Sequence, residues 1–172
     1  LNGTKQWITN GGEADIYTIF AMTDKSRGSR GATAFLVEKD TRGMTFGRRE
    51  NKMGIRASLQ REIFFDDCRI PRENVLGREG MGFVVAMKTL DNTRPGIGAL
   101  AVGLAQGAFD EAITYARGRR QFGESITAFQ AIQHMLADMA TQIEAARALV
   151  YAAARMIDAG SANVSRESAM AK

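Results

Sequence analysis

Few residues in this chain could do chemistry. One histidine and one cysteine occur in 172 residues, His134 and Cys68. They cannot supply a usual zinc site, and a lone cysteine cannot close an internal disulfide. The sequence carries no dinucleotide fingerprint, P-loop, nucleophile elbow or helical metalloprotease motif. His134, between Gln133 and Met135 on a helical stretch, reads as a surface or interface group, and Cys68, beside Asp67 and Arg69, as a half-buried structural thiol. What remains is positive charge. Lys and Arg number 23 against 19 Asp and Glu, a net charge of +4. The excess gathers at Arg117, Arg119 and Arg120, and more weakly at Arg48, Arg49 and Lys52. Guanidinium clusters suit phosphate groups. A nucleic-acid binder would usually interleave such a patch with aromatics, and phosphate groups on a small cofactor explain the clusters as well as DNA does.

The elements that must position these groups change character near residue 75. A composition of 45% hydrophobic and 24% charged residues is that of a globular chain. No run of 18 apolar residues could span a membrane. The opening Leu1-Asn2-Gly3 resembles neither a signal peptide nor an initiation site, so part of a longer, cytoplasmic protein is expected. Before residue 75, short apolar runs between turn signals predict strands at Lys5–Thr9, Asp15–Thr23, Ala32–Glu38, Met44–Arg49 and Leu59–Asp67. The second and third of these are apolar on both faces and are expected to be covered on both sides. Asn10-Gly11-Gly12 is expected to turn one antiparallel strand into the next. After Ile70-Pro71 the period becomes helical. Ile97, Leu100, Leu104, Ala108, Ala112 and Tyr115 form one apolar stripe, and Ile132, Met135, Met139, Ile143, Ala146, Leu149, Val150, Ala153, Met156 and Ile157 a second. Pro95 is expected to kink or restart the first helix, Gly160 to stop the second, and a third to begin near 161–165. The expected class is α+β: an antiparallel β-barrel-like domain over 1–74, then part of an up-down helical bundle over 75–172.

From residue types alone, this is a strand-then-helix protein with an anionic ligand. The order of its motifs says more. Leu1-Asn2-Gly3-Thr4-Lys5 leads into Trp7-Ile8-Thr9-Asn10-Gly11-Gly12, followed by Glu50-x-Lys52-Met53-Gly54-x-Arg56-x-Ser58, Phe65-Asp66-Asp67-Cys68-Arg69-Ile70-Pro71 and Asn74-Val75-Leu76-Gly77. Then come Gly80-x-Gly82-Phe83, Thr93-Arg94, Gly103-Leu104-Ala105-Gln106, Tyr115-x-x-x-Arg119-x-x-Phe122-Gly123 and Phe129-Gln130. This succession, covering essentially the whole chain, resembles the acyl-CoA dehydrogenase family. The resemblance implies the later part of a middle β domain and the first helices of a C-terminal helical domain. It further implies FAD as cofactor, an acyl-CoA substrate, an electron-transfer flavoprotein as partner and a homodimer or homotetramer. The Gly-rich Thr-Glu segment before the Trp-Ile-Thr strand and the Gly-Gly-x-Gly segment after the helices, both flavin-contacting in the family, are not in this chain.

By that resemblance Trp7, Ile8 and Thr9 form the strand lying against the flavin ring, where the Thr9 hydroxyl can donate to the reactive flavin nitrogen and favour its reduced form. Taken alone, Trp7 is a core aromatic. Arg119 stands where the family places an arginine on the FAD pyrophosphate of a neighbouring subunit. Gln121 could bond the same phosphate, Gln130 resembles a further FAD contact, and Phe129 is left stacking or packing. Asp91, Asn92, Thr93 and Arg94 resemble the lining of the CoA thioester channel, with Arg94 either binding an anion or closing a buried ion pair. Ser29 and Arg30 lie in a loop that approaches the CoA 3′-phosphate in relatives. Arg56 and Ser58 read as mostly structural.

The family reaction removes an α-proton to a glutamate while the β-hydride passes to flavin. One branch carries that base immediately before the arginine equivalent to Arg94. Here that position is Thr93, whose hydroxyl cannot take a proton at neutral pH, so no catalytic residue is assigned in this chain. The implied function is α,β-dehydrogenation of an acyl-CoA. The alternatives are an acyl-CoA oxidase-like relative and a non-catalytic flavin- or CoA-binding module.

Overall fold

Short β-branched and aromatic runs separated by glycine-rich breaks build the first half. Its strands are β1 (Gly3–Thr9), β2 (Ile16–Met22), β3 (Ala32–Glu38), β4 (Met44–Arg49), β5 (Gln60–Phe65) and β6 (Val75–Leu76). The computed structural model describes residues 1–162 and 164–172. These fall into two compact units, Leu1–Met87 and Lys88–Lys172.

In the first unit the strands form two antiparallel three-stranded sheets, ordered β1-β5-β4 and β2-β3-β6. Neither closes into a barrel. Their shared core holds Tyr17, Ile19, Phe35, Val37, Met44, Ile63, Phe65 and Cys68. β2 alternates, turning Tyr17 and Ile19 inward and leaving Ile16 and Met22 exposed. The two-sided cover expected for β2 is therefore corrected to one-sided, as in any half-solvated antiparallel sheet.

Asn10-Gly11-Gly12 is not a hairpin, because β1 pairs with β5 and β2 with β3. It is a corner that carries the chain from one sheet to the other. Asn10 (φ 58°) and Gly12 (φ 82°) take left-handed conformations that turn the backbone out of the ladder. The buried Tyr17 phenol closes the corner: its hydroxyl donates to the Asn10 carbonyl at 3.0 Å and accepts from the Gly12 N–H at 2.8 Å.

The first helix, α1 (Gly82–Gly118), continues through Pro95, so the chain does not restart a helix there. Proline removes the donor that would serve the Asp91 carbonyl four residues earlier. The fully buried Ser168 hydroxyl replaces it, donating to that carbonyl at 2.5 Å. In the second unit α1 is followed by a short hairpin, β7 (Arg120–Gln121) and β8 (Glu124–Ser125), then α2 (Gln130–Asp158) and α3 (Ser165–Ala171). Gly160 (φ 65°) ends α2 as expected, with its N–H on the Ile157 carbonyl.

The apolar stripe expected on α1 lies on its open face. Ile97, Leu100, Leu104 and Tyr115 are exposed, while Pro95, Gly98, Val102 and Ala116 are buried. Both faces are apolar, but only the small-residue face admits a close neighbour. A Cβ on Gly98 would stand 2.2 Å from the Ala171 carbonyl oxygen. On α2, Ile143, Val150 and Ala153 are buried, and Met135, Met139 and Leu149 remain open. An apolar groove of about 610 Å³ runs past Ala101, Ala105, Phe109, Met139, Ile143 and Met170.

Two expected outcomes test these contacts. Tyr17→Phe strands the Gly12 N–H at the corner, while the Asn10 carbonyl keeps its bonds from Glu13 and Ala14, and should cost about 1–3 kcal/mol in urea denaturation. Gly98→Val should destabilise by at least as much as a typical overpacked core, about 1–3 kcal/mol, whereas Gly96→Ala, with open space around it, should not.

Candidate functional site

The expected site residues lie in separate places, each built by a local backbone device. In the first unit, β1 pairs with β5 at Lys5↔Ile63 and resumes at Ile8↔Arg61, leaving a bulge at Gln6 and Trp7. Trp7 takes φ 60° there and is 60% exposed. A left-handed bulky residue costs about 1–2 kcal/mol, and bulges are a device for re-aiming side chains. Trp7 is thus a surface aromatic, not a core one. Ile8 packs partly into the core beneath it. Thr9 is exposed, and the Gln60 amide donates to its hydroxyl oxygen at 3.3 Å.

Also in the first unit, Ser29 and Arg30 belong to a 3₁₀ segment, Lys25–Gly31, capped by the Asp24 carboxylate on the Ser26 N–H at 2.9 Å. Hydrogen bonds from Ser26 hold the Asp24 carboxyl below its usual pKa range. Gly31 admits no side chain, since a Cβ would fall 1.7 Å from the Asp24 carbonyl oxygen. The buried Thr33 hydroxyl joins this segment to the approach to α1: it meets Thr23 Oγ1 at 2.9 Å and accepts from the Gly80 N–H at 3.0 Å. The result is a pocket of about 420 Å³ lined by Arg27, Ser29, Arg30, Arg78 and Glu79, with Phe83 and Val84 as an apolar side. The sequence reading missed Arg27 and Arg78. Their only signal was position: Arg27 two residues before Ser29, and Arg78 directly after the Asn74-Val75-Leu76-Gly77 motif.

In the second unit, Arg119, Gln121 and Gln130 come together on one compact stretch. The Arg119 N–H donates to the Tyr115 carbonyl at 2.8 Å, ending α1. Phe122 (φ 53°) and Gly123 (φ 88°) then turn the β7–β8 hairpin. The Ser125 hydroxyl donates back to the Ala116 carbonyl at 2.9 Å, and Gln130 opens α2. Phe129 packs edge-to-face on Phe122 at 6.1 Å, the packing role left to it. The Arg119 side chain has no acidic partner among the described residues.

Asp91 and Arg94 are instead committed to one another and to the bundle. Arg94 Nη1 lies 3.3 Å from Asp91 Oδ1, and Asp91 Oδ2 accepts from Ser165 Oγ at 2.6 Å. Asn92 is exposed, donating to the Lys88 carbonyl at 2.8 Å, and Thr93 is exposed. Arg56 closes its own loop by donating to the Lys52 carbonyl at 3.0 Å.

Against this geometry, residues 1–68 match the acyl-CoA dehydrogenase middle domain, and residues 80–172 match the acyl-CoA dehydrogenase C-terminal domain. The chain belongs to the acyl-CoA dehydrogenase family. It is 53% identical over all 172 residues to a probable acyl-CoA dehydrogenase, FadE25, of Mycobacterium tuberculosis, of which it spans 44%. It superposes on butyryl-CoA dehydrogenase from Megasphaera elsdenii with a TM-score of 0.95 at 50% identity, covering 99% of this chain and 44% of that one. It also matches a chain in a structure of the electron transferring flavoprotein of Acidaminococcus fermentans, with a TM-score of 0.94 at 54% identity and the same coverage. The chain thus spans less than half the length of these relatives. No helix among the described residues is long and apolar enough to cross a membrane.

Acyl-CoA dehydrogenases are FAD-dependent oxidoreductases, and the residues present fit that cofactor. An exposed indole two residues from a hydroxyl whose proton has no acceptor among the described residues suits a planar, hydrogen-bonding ring. An unpaired guanidinium at Arg119 suits a pyrophosphate. Trp7 is the one tryptophan of the chain, so its emission reports this surface alone. It should emit at long wavelength, be quenched by acrylamide in the folded state, and lose intensity when FAD is added. Blue-shifted, unquenchable emission would place the indole inside the core instead.

Proposed function

We propose that the protein carries out FAD-dependent α,β-dehydrogenation of an acyl-CoA thioester to the trans-2-enoyl-CoA, with electrons passed to an electron-transfer flavoprotein. The observation that carries this reading is the strained edge at Trp7–Thr9, a bulge that exposes an aromatic two residues from a free hydroxyl donor. FAD, when bound, supplies the acceptor for the β-hydride.

The chain's own residues bind and orient. Thr9 offers a hydrogen bond to the flavin, and Trp7 a flat apolar contact. Arg119 meets the pyrophosphate, helped by Gln121 and Gln130. At the other end of the substrate, Ser29 and Arg30, joined by Arg27 and Arg78, hold the phosphates of CoA, while Phe83 and Val84 give its nucleotide an apolar surface. Asn92 and Thr93 line the thioester channel, and Asp91 and Arg94 stiffen it through their ion pair. Thr93 cannot serve as base, so the glutamate that takes the α-proton lies outside these 172 residues. A short acyl chain is favoured by the likeness to butyryl-CoA dehydrogenase, and the electron-transfer partner by the flavoprotein relative. The exposed stripe of Ile97, Leu100, Leu104 and Tyr115 favours a homodimer or homotetramer. The domain division at 74/75 and a cytoplasmic setting belong to the same proposal.

The test is the visible spectrum of the chain with FAD, before and after anaerobic addition of butyryl-CoA. Bound flavin that does not bleach is the expected result. Bleaching would put a working base within these residues; flavin that never binds would point to an incomplete site, and flavin bound equally well after Trp7→Ala, Thr9→Val and Arg119→Ala would remove the flavin role from these residues. In the catalytically competent enzyme, Arg30→Ala and Arg78→Ala should each raise KM for an acyl-CoA about tenfold, and far less for the dephospho-CoA thioester. Equal losses on both substrates would detach this pocket from the 3′-phosphate.

A further inference from the structure

We propose that Gln60 is the positioning residue for the Thr9 hydroxyl, fixing it as a hydrogen-bond donor toward the flavin. The inference rests on the reading of Trp7–Thr9 as the flavin-binding edge. β1 and β5 pair Thr9 directly with Gln60, and directly opposed residues of an antiparallel pair share one face of the sheet. The Gln60 amide donates from Nε2 to Thr9 Oγ1 at 3.3 Å, the one side-chain hydrogen bond that Thr9 makes among the described residues. A hydroxyl has one proton and two lone pairs. The amide occupies a lone pair, no carbonyl or carboxylate of the described residues receives the proton, and the proton is therefore held for an acceptor outside the chain.

Gln60 is suited to this because its own place is fixed. Its carbonyl accepts from the Glu50 N–H at 2.9 Å, and one residue earlier the Leu59 carbonyl accepts from the Asn10 N–H at 2.9 Å. Both ends of the Thr9–Gln60 pair thus sit on anchored backbone. Without the amide, a threonine hydroxyl competes for nearby backbone carbonyls and turns its proton back into the chain. The donor character of Thr9 is therefore a property of the pair.

The test is the two-electron flavin midpoint potential of the FAD-loaded holoenzyme, measured spectroelectrochemically. The proteins are wild type, Thr9→Val, Gln60→Leu, Gln60→Glu and the two double variants. Gln60→Glu keeps shape and reverses polarity, so its carboxylate takes the Thr9 proton. It should favour oxidised flavin about tenfold more with Thr9 present than in the Thr9→Val background, a difference of about 30 mV for a two-electron couple. The added charge acts in both backgrounds and cancels in the comparison. Gln60→Leu should shift the potential in the same direction by less, and only when Thr9 is present. FAD dissociation constants from fluorescence titration of the same six proteins give a second reading, with the loss on Gln60 substitution again confined to the Thr9 background. Equal shifts in both backgrounds overturn the proposal while Thr9→Val still moves the potential. A Thr9→Val protein unchanged in potential and FAD affinity overturns the flavin-edge reading as well.

Discussion

The arrangement of the β unit depends on one phenol. At the end of β1 the chain must leave its sheet without abandoning backbone hydrogen bonds, and it must do so directly after the residues that face outward. Tyr17, buried at the start of the next sheet, satisfies the corner from both sides by donating to Asn10 and accepting from Gly12. The Asn10 carbonyl also accepts from the N–H groups of Glu13 and Ala14. A corner bonded this fully can stand beside a bulge whose central residue is left-handed. The stabilisation of the one offsets the strain of the other, which is how strained conformations persist at binding surfaces.

The helical unit is governed by a missing donor. Pro95 leaves the Asp91 carbonyl unsatisfied within α1, and α3 supplies the replacement through Ser168. The same aspartate uses its carboxylate on Arg94 and Ser165. Gly98, one turn on, gives α3 the room to approach. Proline, orphan carbonyl, serine and glycine thus form one docking device. It explains why the small-residue face of α1 is buried while its bulky face is open.

Strand positions were legible in the sequence because alternation and glycine breaks are local; β3 and β4 lie where the pattern put them, and α2 lies within two residues of its stripe. Pairing was not legible. Asn10-Gly11-Gly12 has the composition of a hairpin turn, and only the distant partner β5 makes it a corner. The continuation of α1 through Pro95 was not legible because its compensation comes from Ser168, 73 residues further on. Which face of α1 is buried was not legible, because periodicity records apolar character and not size, and size decided which face took a neighbour. Of the candidate site, Trp7, Thr9 and Arg119 were singled out through family motifs. Arg27, Arg78 and Gln60 escaped because a fold through Thr33 and a strand register through β5 bring them into place.

Hydrogen-bond capacity separates the residues that hold the fold from those left for a ligand. Asp91, Ser165 and Ser168 have partners within the chain, and Arg94 pairs with Asp91, so their work there is structural. Thr9 keeps its proton, and Arg119 keeps its guanidinium. Arg27, Arg30 and Arg78 converge on a pocket whose only carboxylate is Glu79, leaving an excess of two positive charges at one wall. Surface arginines without partners are ordinary when scattered. Three gathered from two segments by a buried threonine raise the local positive potential, which the nearby Asp24 and Glu79 carboxylates offset in part. The same logic reaches Arg61 beneath the corner, whose Nε is buried without a partner while Nη2 lies 3.6 Å from Glu13.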